Sequence, residues 1–366
     1  MDLTAVRAAL AETARGANVP GMSLAVVSRD RVLYSGGTGF ADLASQSAAT
    51  ADTAYPWFSM TKPVTATAAL RLADQGLLDL HAPVHEYVAW LRAPGRAQPT
   101  MWQLLTHSSG LGNPLPVKWV HPAGSPGPDQ EEMLRKLMAR RRPFRHRVGG
   151  TGHYSNVGYL AAAQIISTVA GEPFQSYVQR EILTRLGMAA TAFSSLPGHQ
   201  AATGYVRIPR PLTPLLAGVL PAGIVGPRHG GYSSLNPFLV DGAGYGGLFG
   251  SVLDAATFAR LHLNDGLAAP QGTASAPEGR RVLQESTART MRDIHVKGKR
   301  FDHSAGWFRK HTKGPQGSYV EHFGTGLGFW NIMRLYPERG RGMVIMSNST
   351  SSYDYAALFS LILRMP

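Results

Sequence analysis

The chain has 366 residues, 44% of them hydrophobic, with 41 glycines, 25 prolines and no cysteine. That length suits about two domains, or one domain carrying a large insertion, and the composition excludes a disordered or fibrous chain, a disulfide framework, a thiolate metal site and a cysteine nucleophile. The formal charge of +13 leaves nucleic acid, anionic lipid or an anionic substrate as electrostatic partners to weigh.

Residues 3–17 read as an amphipathic helix, with Leu3, Val6, Leu10 and Ala14 on one side. This opening mixes Asp2, Arg and Glu into its apolar positions and lacks the apolar core of a secretory signal. No run of about 18 apolar residues occurs, so a cytoplasmic chain without a membrane span is expected. GMSLAVVSRDRVLYSGGTGFAD then shows two β-rich runs about Ser28-Arg29-Asp30-Arg31, a hairpin signal. Residues 59–78 read as a helix opening at Ser59, with Pro63 in its first turn and Gly76 near its end.

From about residue 81 to 239 the pattern becomes short helices between Gly/Pro loops, ending in a loop-rich stretch. SVLDAATFARLHLNDG is one more helix, with Ser251 as cap and Gly266 as stop. The tail is β-rich again: SAGWFRK, GSYVEHF, FWNIMRLY and GMVIMSN, with PERGRG turning between the last two. A strongly apolar helix, YDYAALFSLILRM, follows. The expected fold class is α+β. One antiparallel sheet is built from both chain ends and flanked by the terminal helices, with an all-helical domain inserted between its halves. The expected boundaries are 1–80 with 240–366 for the discontinuous sheet domain and 81–239 for the helical, loop-rich insertion, with the active site at their interface.

Much of the positive charge lies in RKLMARRRPFRHRVGG, which holds Arg135, Lys136, Arg140, Arg141, Arg142, Arg145 and Arg147. A solvated helix end and loop is the expectation. No nucleic-acid fold motif accompanies it, so no nucleic-acid partner is expected. Its nearness in sequence to Tyr154 suggests a role in drawing anionic acyl substrates toward a cleft.

Three short segments carry chemistry. In WFSMTKPV, Ser59 and Lys62 stand three apart at the mouth of a helix, so they share a face. A serine hydroxyl needs such a base to become a nucleophile, and a helix N-terminus favours a developing oxyanion. In GTGHYSNVGYLAAA, Tyr154-Ser155-Asn156 opens a helix; a tyrosine near a lysine can exchange its proton, and an Asn amide can hold lysine and substrate together. In EHFGTGLGFW, His322-Phe323-Gly324 joins two strands, where glycine allows close approach to backbone. Each alone reads equally as a cap or a turn. No G-x-S-x-G or H-E-x-x-H is present, no histidine spacing stands out as a ligand set, and GTGLG at 324–328 lacks a dinucleotide-binding βαβ context.

Together and in this order, Ser59-Met60-Thr61-Lys62, Tyr154-Ser155-Asn156 and His322-Phe323-Gly324 resemble the three motifs of the serine β-lactamase-like superfamily: S-x-x-K, Y-x-N, and K-T-G or H-x-G. Its members include class C β-lactamases, D-Ala-D-Ala carboxypeptidases, D-aminopeptidases and β-lactamase-like esterases. LLTHSSGL, GLLDLHAPVHEYV and GGLFGSVLDAATFARLHLNDG also look like the family, and the resemblance spans about residues 20–350. It implies a β-lactamase/transpeptidase-like fold and an acyl-enzyme at Ser59, with Lys62 and Tyr154 as the base. It also implies Asn156, His322 and Gly324 against the substrate, an oxyanion hole from the backbone N–H groups of Ser59 and Thr325, and no metal or organic cofactor. His107 in LLTHSSGL is expected to serve backbone hydrogen bonding. His322 stands where many β-lactamases have lysine; a histidine with a pKa near ~6.5 is mostly neutral at pH 7. That, with the absent signal, favours hydrolysis of carboxylic esters or small amides over β-lactam or cell-wall peptide cleavage. A small-molecule ester or amide is therefore the expected partner. The alternatives are a β-lactamase, a D-Ala-D-Ala carboxypeptidase or D-aminopeptidase, and a catalytically silent scaffold or basic binding protein on the same fold. Tyr55, Trp57 and Trp330 are pocket-shaping or core aromatics. Oligomeric state is open.

Overall fold

The structure is a computed structural model and describes residues 3–116, 118–194, 196, 198–268, 280–311 and 318–363. Its centre is an eight-stranded antiparallel sheet. The strand order is Phe301–His303, Phe308–Lys310, Val320–Gly326, Phe329–Tyr336, Arg341–Ser347, Gly21–Ser28, Val32–Asp42 and Ser47–Ala48. The two chain ends meet in the middle, where Leu24 pairs with Ile345 and Ala25 with Val344. The hairpin expected at Ser28–Arg31 closes with the Ser28 amide donating to the Arg31 carbonyl.

Strand Gly21–Ser28 is buried along its whole length, as a central strand covered on both faces must be. Its side chains alternate between two cores, as a period of two dictates. Met22, Leu24 and Val26 join Ile345, Leu10 and Phe359 under the terminal helices Leu3–Gly16 and Tyr355–Leu363. Ala25 and Val27 join Val344, Phe258 and Leu261 on the other face, beneath helix Val252–Leu263. That helix begins at the expected cap: the Asp254 amide donates to Ser251 Oγ, and Gly266 takes φ +84° beyond its end.

The second core continues into the middle of the chain, which carries helices Met101–Leu105, Gln130–Met138, Asn156–Ala170 and Phe174–Val178. This part also holds strands where the sequence showed loops. Tyr205–Arg207, Tyr232–Leu235 and Val225–His229 form a three-stranded sheet, and Val120–Pro122 pairs with Phe238–Val240 as a two-stranded ribbon. These strands run three to five residues, too short for alternation to show, and Val225–His229 and Val120–Pro122 include proline. This middle stretch is therefore helical with small β-additions. Helix Thr61–Asp74 runs between the sheet and this part and is buried from Thr61 to Leu72.

Among the described residues no helix is long and apolar enough to cross a membrane, and no group of three or more His, Cys, Asp or Glu is placed to hold a metal ion.

Candidate active site

Ser59 lies in a single 3₁₀ turn, Phe58–Met60, that leads directly into helix Thr61–Asp74. The expected helix thus begins just after the serine, and no side chain caps it. The Met60 amide donates to the Trp57 carbonyl and the Thr61 amide to the Phe58 carbonyl, so the turn runs on into the helix without a break. Phe58, immediately before the serine, has φ +46°, a left-handed conformation costly for a residue with a Cβ. The glycines of the facing strand accommodate this turn. A Cβ at Gly324 would stand 2.0 Å from the Trp57 carbonyl oxygen, and one at Gly326 would stand 2.1 Å from the Phe58 ring. The close approach at Gly324 comes from the nucleophile's own loop.

Lys62 Nζ is 2.9 Å from Ser59 Oγ, 2.9 Å from Asn156 Oδ1 and 3.0 Å from the Tyr245 carbonyl oxygen. Lys62 is wholly buried, and burial holds its amine well below the usual lysine range. A neutral amine has two protons and one lone pair. Two of the three partners are oxygens that can only accept, while the serine hydroxyl can donate. Two amine protons to the carbonyl oxygens and the serine proton toward the lone pair satisfies all four groups.

Asn156 is brought in by helix Asn156–Ala170. Ser155 caps that helix by accepting from the Gly158 amide, and its own hydroxyl donates to the Gly112 carbonyl. The Asn156 amide donates to Asn113 Oδ1. His107 holds the segment from behind: its Nδ1 accepts from the Ser155 amide at 3.1 Å, and its carbonyl accepts from the His153 amide. This is the expected backbone role. Tyr154 lies between, with its ring 4.7 Å from Lys62 Nζ and 4.5 Å from the His107 ring. Its hydroxyl hydrogen-bonds Ser59, yet burial pushes its pKa above the ordinary tyrosine value, so it is a protonated phenol.

His322 is buried on the neighbouring strand, packed against Phe308. Its Nδ1 lies 2.7 Å from the Phe323 carbonyl oxygen and donates to it. Burial keeps the ring well below the ordinary histidine pKa and therefore neutral. Thr325 is exposed at the end of the same strand and faces Ser59 across the cleft.

The cleft beside Ser59 encloses about 230 Å³. Phe58, Pro116, Trp119, Val120, Val240 and Leu327 form most of its wall, and none of its lining residues carries a charge. The loops at 112–130 and 197–240 supply much of it. Tyr55 and Trp57 are fully buried in the core, and Trp330 packs on Tyr353 and Tyr355; none of these three lines the cleft. The pocket aromatics are Phe58, Trp119 and Tyr245 instead. Tyr245 was not legible because its contact to Lys62 is made by a backbone carbonyl, which leaves no mark on residue type. Asn113 was legible only as a polar residue in a loop.

A family model described as Beta-lactamase matches residues 6–362. Protein flp of Staphylococcus aureus strain COL is 23% identical over 341 residues, covering 92% of this chain and 61% of that protein; the chain thus spans about three fifths of that relative's length. Among solved structures, the octameric penicillin-binding protein homologue from Pyrococcus abyssi superposes with a TM-score of 0.77 at 23% identity, covering 99% of this chain and 77% of that one. The D-amino acid amidase from Ochrobactrum anthropi SV3, complexed with L-phenylalanine, gives 0.77 at 22% identity, covering 98% of each chain.

Proposed function

The chain belongs to the Beta-lactamase family, and from that premise we propose that it is a serine hydrolase acting through an acyl-enzyme on small carboxylic esters or amides. The observation that carries this reading is the buried Lys62 amine, set 2.9 Å from Ser59 Oγ, whose pKa burial lowers toward the free base.

The steps follow from the groups in place. Ser59 Oγ bonds to the substrate carbonyl carbon as its proton passes to the Lys62 lone pair. The carbonyl oxygen becomes an oxyanion, held by the backbone N–H groups of Ser59 and Thr325 at the mouth of the helix. Tyr154, a neutral phenol beside both Ser59 and Lys62, delivers a proton to the leaving oxygen or nitrogen and recovers one from Lys62. The carbon–heteroatom bond breaks and the acyl group stays on Ser59. Water then adds by the same route in reverse, losing its proton to the amine, and the acid departs as Ser59 regains its proton. Asn156 fixes the amine's rotation throughout and presents its amide to the substrate carbonyl, while the strand from His322 to Gly324 supports the substrate's edge.

Substrate preference follows from the cleft. Neither its wall nor the neutral His322 supplies a cation for the carboxylate of a penicillin or a peptide terminus. The amidase named above makes small amides a natural second class for this site.

The deciding comparison is kcat/KM on p-nitrophenyl butyrate and on nitrocefin, with Ser59→Ala as blank. Ester turnover abolished by Ser59→Ala, with nitrocefin at least a hundredfold poorer, is expected. A higher value on nitrocefin would move the protein to β-lactam hydrolysis. Failure of a fluorophosphonate probe to label Ser59 in the folded protein would instead make it a silent scaffold.

A further inference from the structure

A second apolar cavity, of about 270 Å³, lies behind the Ser59 cleft, walled by Pro56, Leu235, Phe238, Leu239, Phe249 and Phe329 among others. His199 also lines it, and two other polar side chains in its wall make hydrogen bonds elsewhere: Asn236 Nδ2 donates to the Gly223 carbonyl and Thr203 Oγ1 to Asp42. The cavity is partly open to solvent beside the exposed Ala201, Asn236 and Pro237, while its apolar walls are of the kind that take up hydrocarbon.

Aromatic rings stand where this cavity and the Ser59 cleft come together. The rings of Phe58, Phe238 and Phe329 form a triangle with each centroid 6.2 Å from the other two. Phe58 borders the Ser59 cleft, and Phe238 and Phe329 border the cavity. Their anchoring differs. Phe58 is held by the backbone next to Ser59 and by its contact over Gly326. Phe329 starts a strand of the eight-stranded sheet and meets Tyr55 edge-on. Phe238 belongs to a three-residue strand paired, among the described residues, only with Val120–Pro122. Two positions further on, Val240 lines the Ser59 cleft, so one short ribbon walls both spaces.

We propose that the second cavity is the pocket for the tail of a medium- or long-chain acyl group, entered from the Ser59 cleft when the Phe238 ring turns aside. This rests on the ester-hydrolase reading and adds the substrate class to it: aliphatic esters whose acyl chain outgrows the first cleft. Phe238 sets chain length, and Leu239, which also borders the cavity, sets its depth.

Two measurements separate failure of the pocket from failure of the reading beneath it. The first is calorimetric titration of dodecanoate into Ser59→Ala protein, with and without Leu239→Trp. Binding weakened tenfold or more by the tryptophan is expected; no binding, or binding indifferent to it, overturns the pocket whatever the enzyme hydrolyses. The second is kcat/KM on p-nitrophenyl butyrate and dodecanoate. Leu239→Trp should lower the dodecanoate value about tenfold and leave butyrate within twofold, and Phe238→Ala should raise the dodecanoate-to-butyrate ratio severalfold. Parallel changes on both esters overturn the proposal, and the Phe238→Ala ratio decides it should Leu239→Trp not fold. If neither ester is turned over in a Ser59-dependent way, the hydrolase reading falls and the titration alone decides the pocket.

Discussion

Lys62 has no carboxylate among its hydrogen-bond partners, only a hydroxyl and two carbonyl oxygens. That choice of partners is what lets burial win. With no anion to stabilise the ammonium, desolvation lowers its pKa and leaves a free base at the serine. The acidic limb of kcat/KM should therefore lie well below the ordinary lysine pKa, because activity requires the unprotonated amine. Asn156→Asp tests the argument. It replaces an acceptor 2.9 Å from Nζ with an anion of nearly the same shape, which favours the charged amine and raises its pKa by about 1–3 units. The sign follows: a base with a higher pKa is protonated over a wider range, so the limb moves to higher pH. Activity at pH 7 should fall about tenfold or more and recover in part by pH 9. A variant that loses activity equally at every pH would show that Asn156 acts only in orientation.

At the scale of the element, the strand Val320–Gly326 and the Phe58–Met60 turn fit together at the van der Waals limit. The nearest atom to a Cβ at Gly324 is a backbone oxygen, which cannot move without moving the serine. Gly324→Ala should destabilise the protein by about 3 kcal/mol or more and lose ester turnover in the same step. Gly218→Ala, where a Cβ meets nothing within 4 Å in helix Thr213–Val219, should leave turnover unchanged and stability level or slightly higher. A Gly324→Ala protein with an undisturbed melting temperature would show that strand and turn are less tightly fitted than this. The glycine was legible in the sequence, but as room for a substrate; only the tertiary fold shows that the Trp57 carbonyl fills it. The same contrast runs through the site. Ser59 with Lys62, and Tyr154 with Asn156, were readable because each pair is set by local spacing at a helix start. The aromatic wall was not, because Tyr55, Trp57 and Phe58 are neighbours in sequence and only the left-handed backbone at Phe58 sends that one ring to the cleft. The strands near 205–207, 225–229 and 232–235 were missed for a related reason: their pairing is tertiary and too short to leave a pattern.

The whole molecule carries two electrostatic features that act beyond the site. One is a set of histidines kept neutral in the interior. Burial lowers His262 to about 3 and His303 to about 4. Folded values depressed below the unfolded ~6.5 mean that the unfolded chain takes up protons first as the pH falls. Stability is then fully present above about pH 6.5 and is lost toward pH 4. Urea midpoints should decline steeply over that window, and a flat profile would contradict the neutral histidines.

The other feature is the arginine cluster. Arg135 and Lys136 are paired with Glu131 and Glu132 one turn back, as a solvated helix face would have them. Arg140, Arg141, Arg142, Arg145 and Arg147 line an open concavity of about 1100 Å³ together with Arg96, and no acidic residue is in its wall. This surface adjoins the catalytic scaffold. Arg145 packs over Gly112, whose carbonyl accepts from Ser155, and the His146 ring stacks 3.4 Å from that of His153, the residue before Tyr154. Because the cleft itself holds no charged residue, any pull of these arginines on a substrate would come through their field and not by contact. A field of this kind raises the encounter rate of anions and is screened over about 10 Å at 0.1 M salt. Replacing Arg140, Arg141 and Arg142 by glutamine should therefore lower kcat/KM severalfold for a carboxylate-bearing ester at 10 mM salt. It should do so without changing kcat, and should have no effect on a neutral ester or at 0.5 M salt. Equal losses on charged and neutral esters would mean that the arginines support the Tyr154 segment structurally; no loss on either would leave the cluster a solvated surface with no part in catalysis.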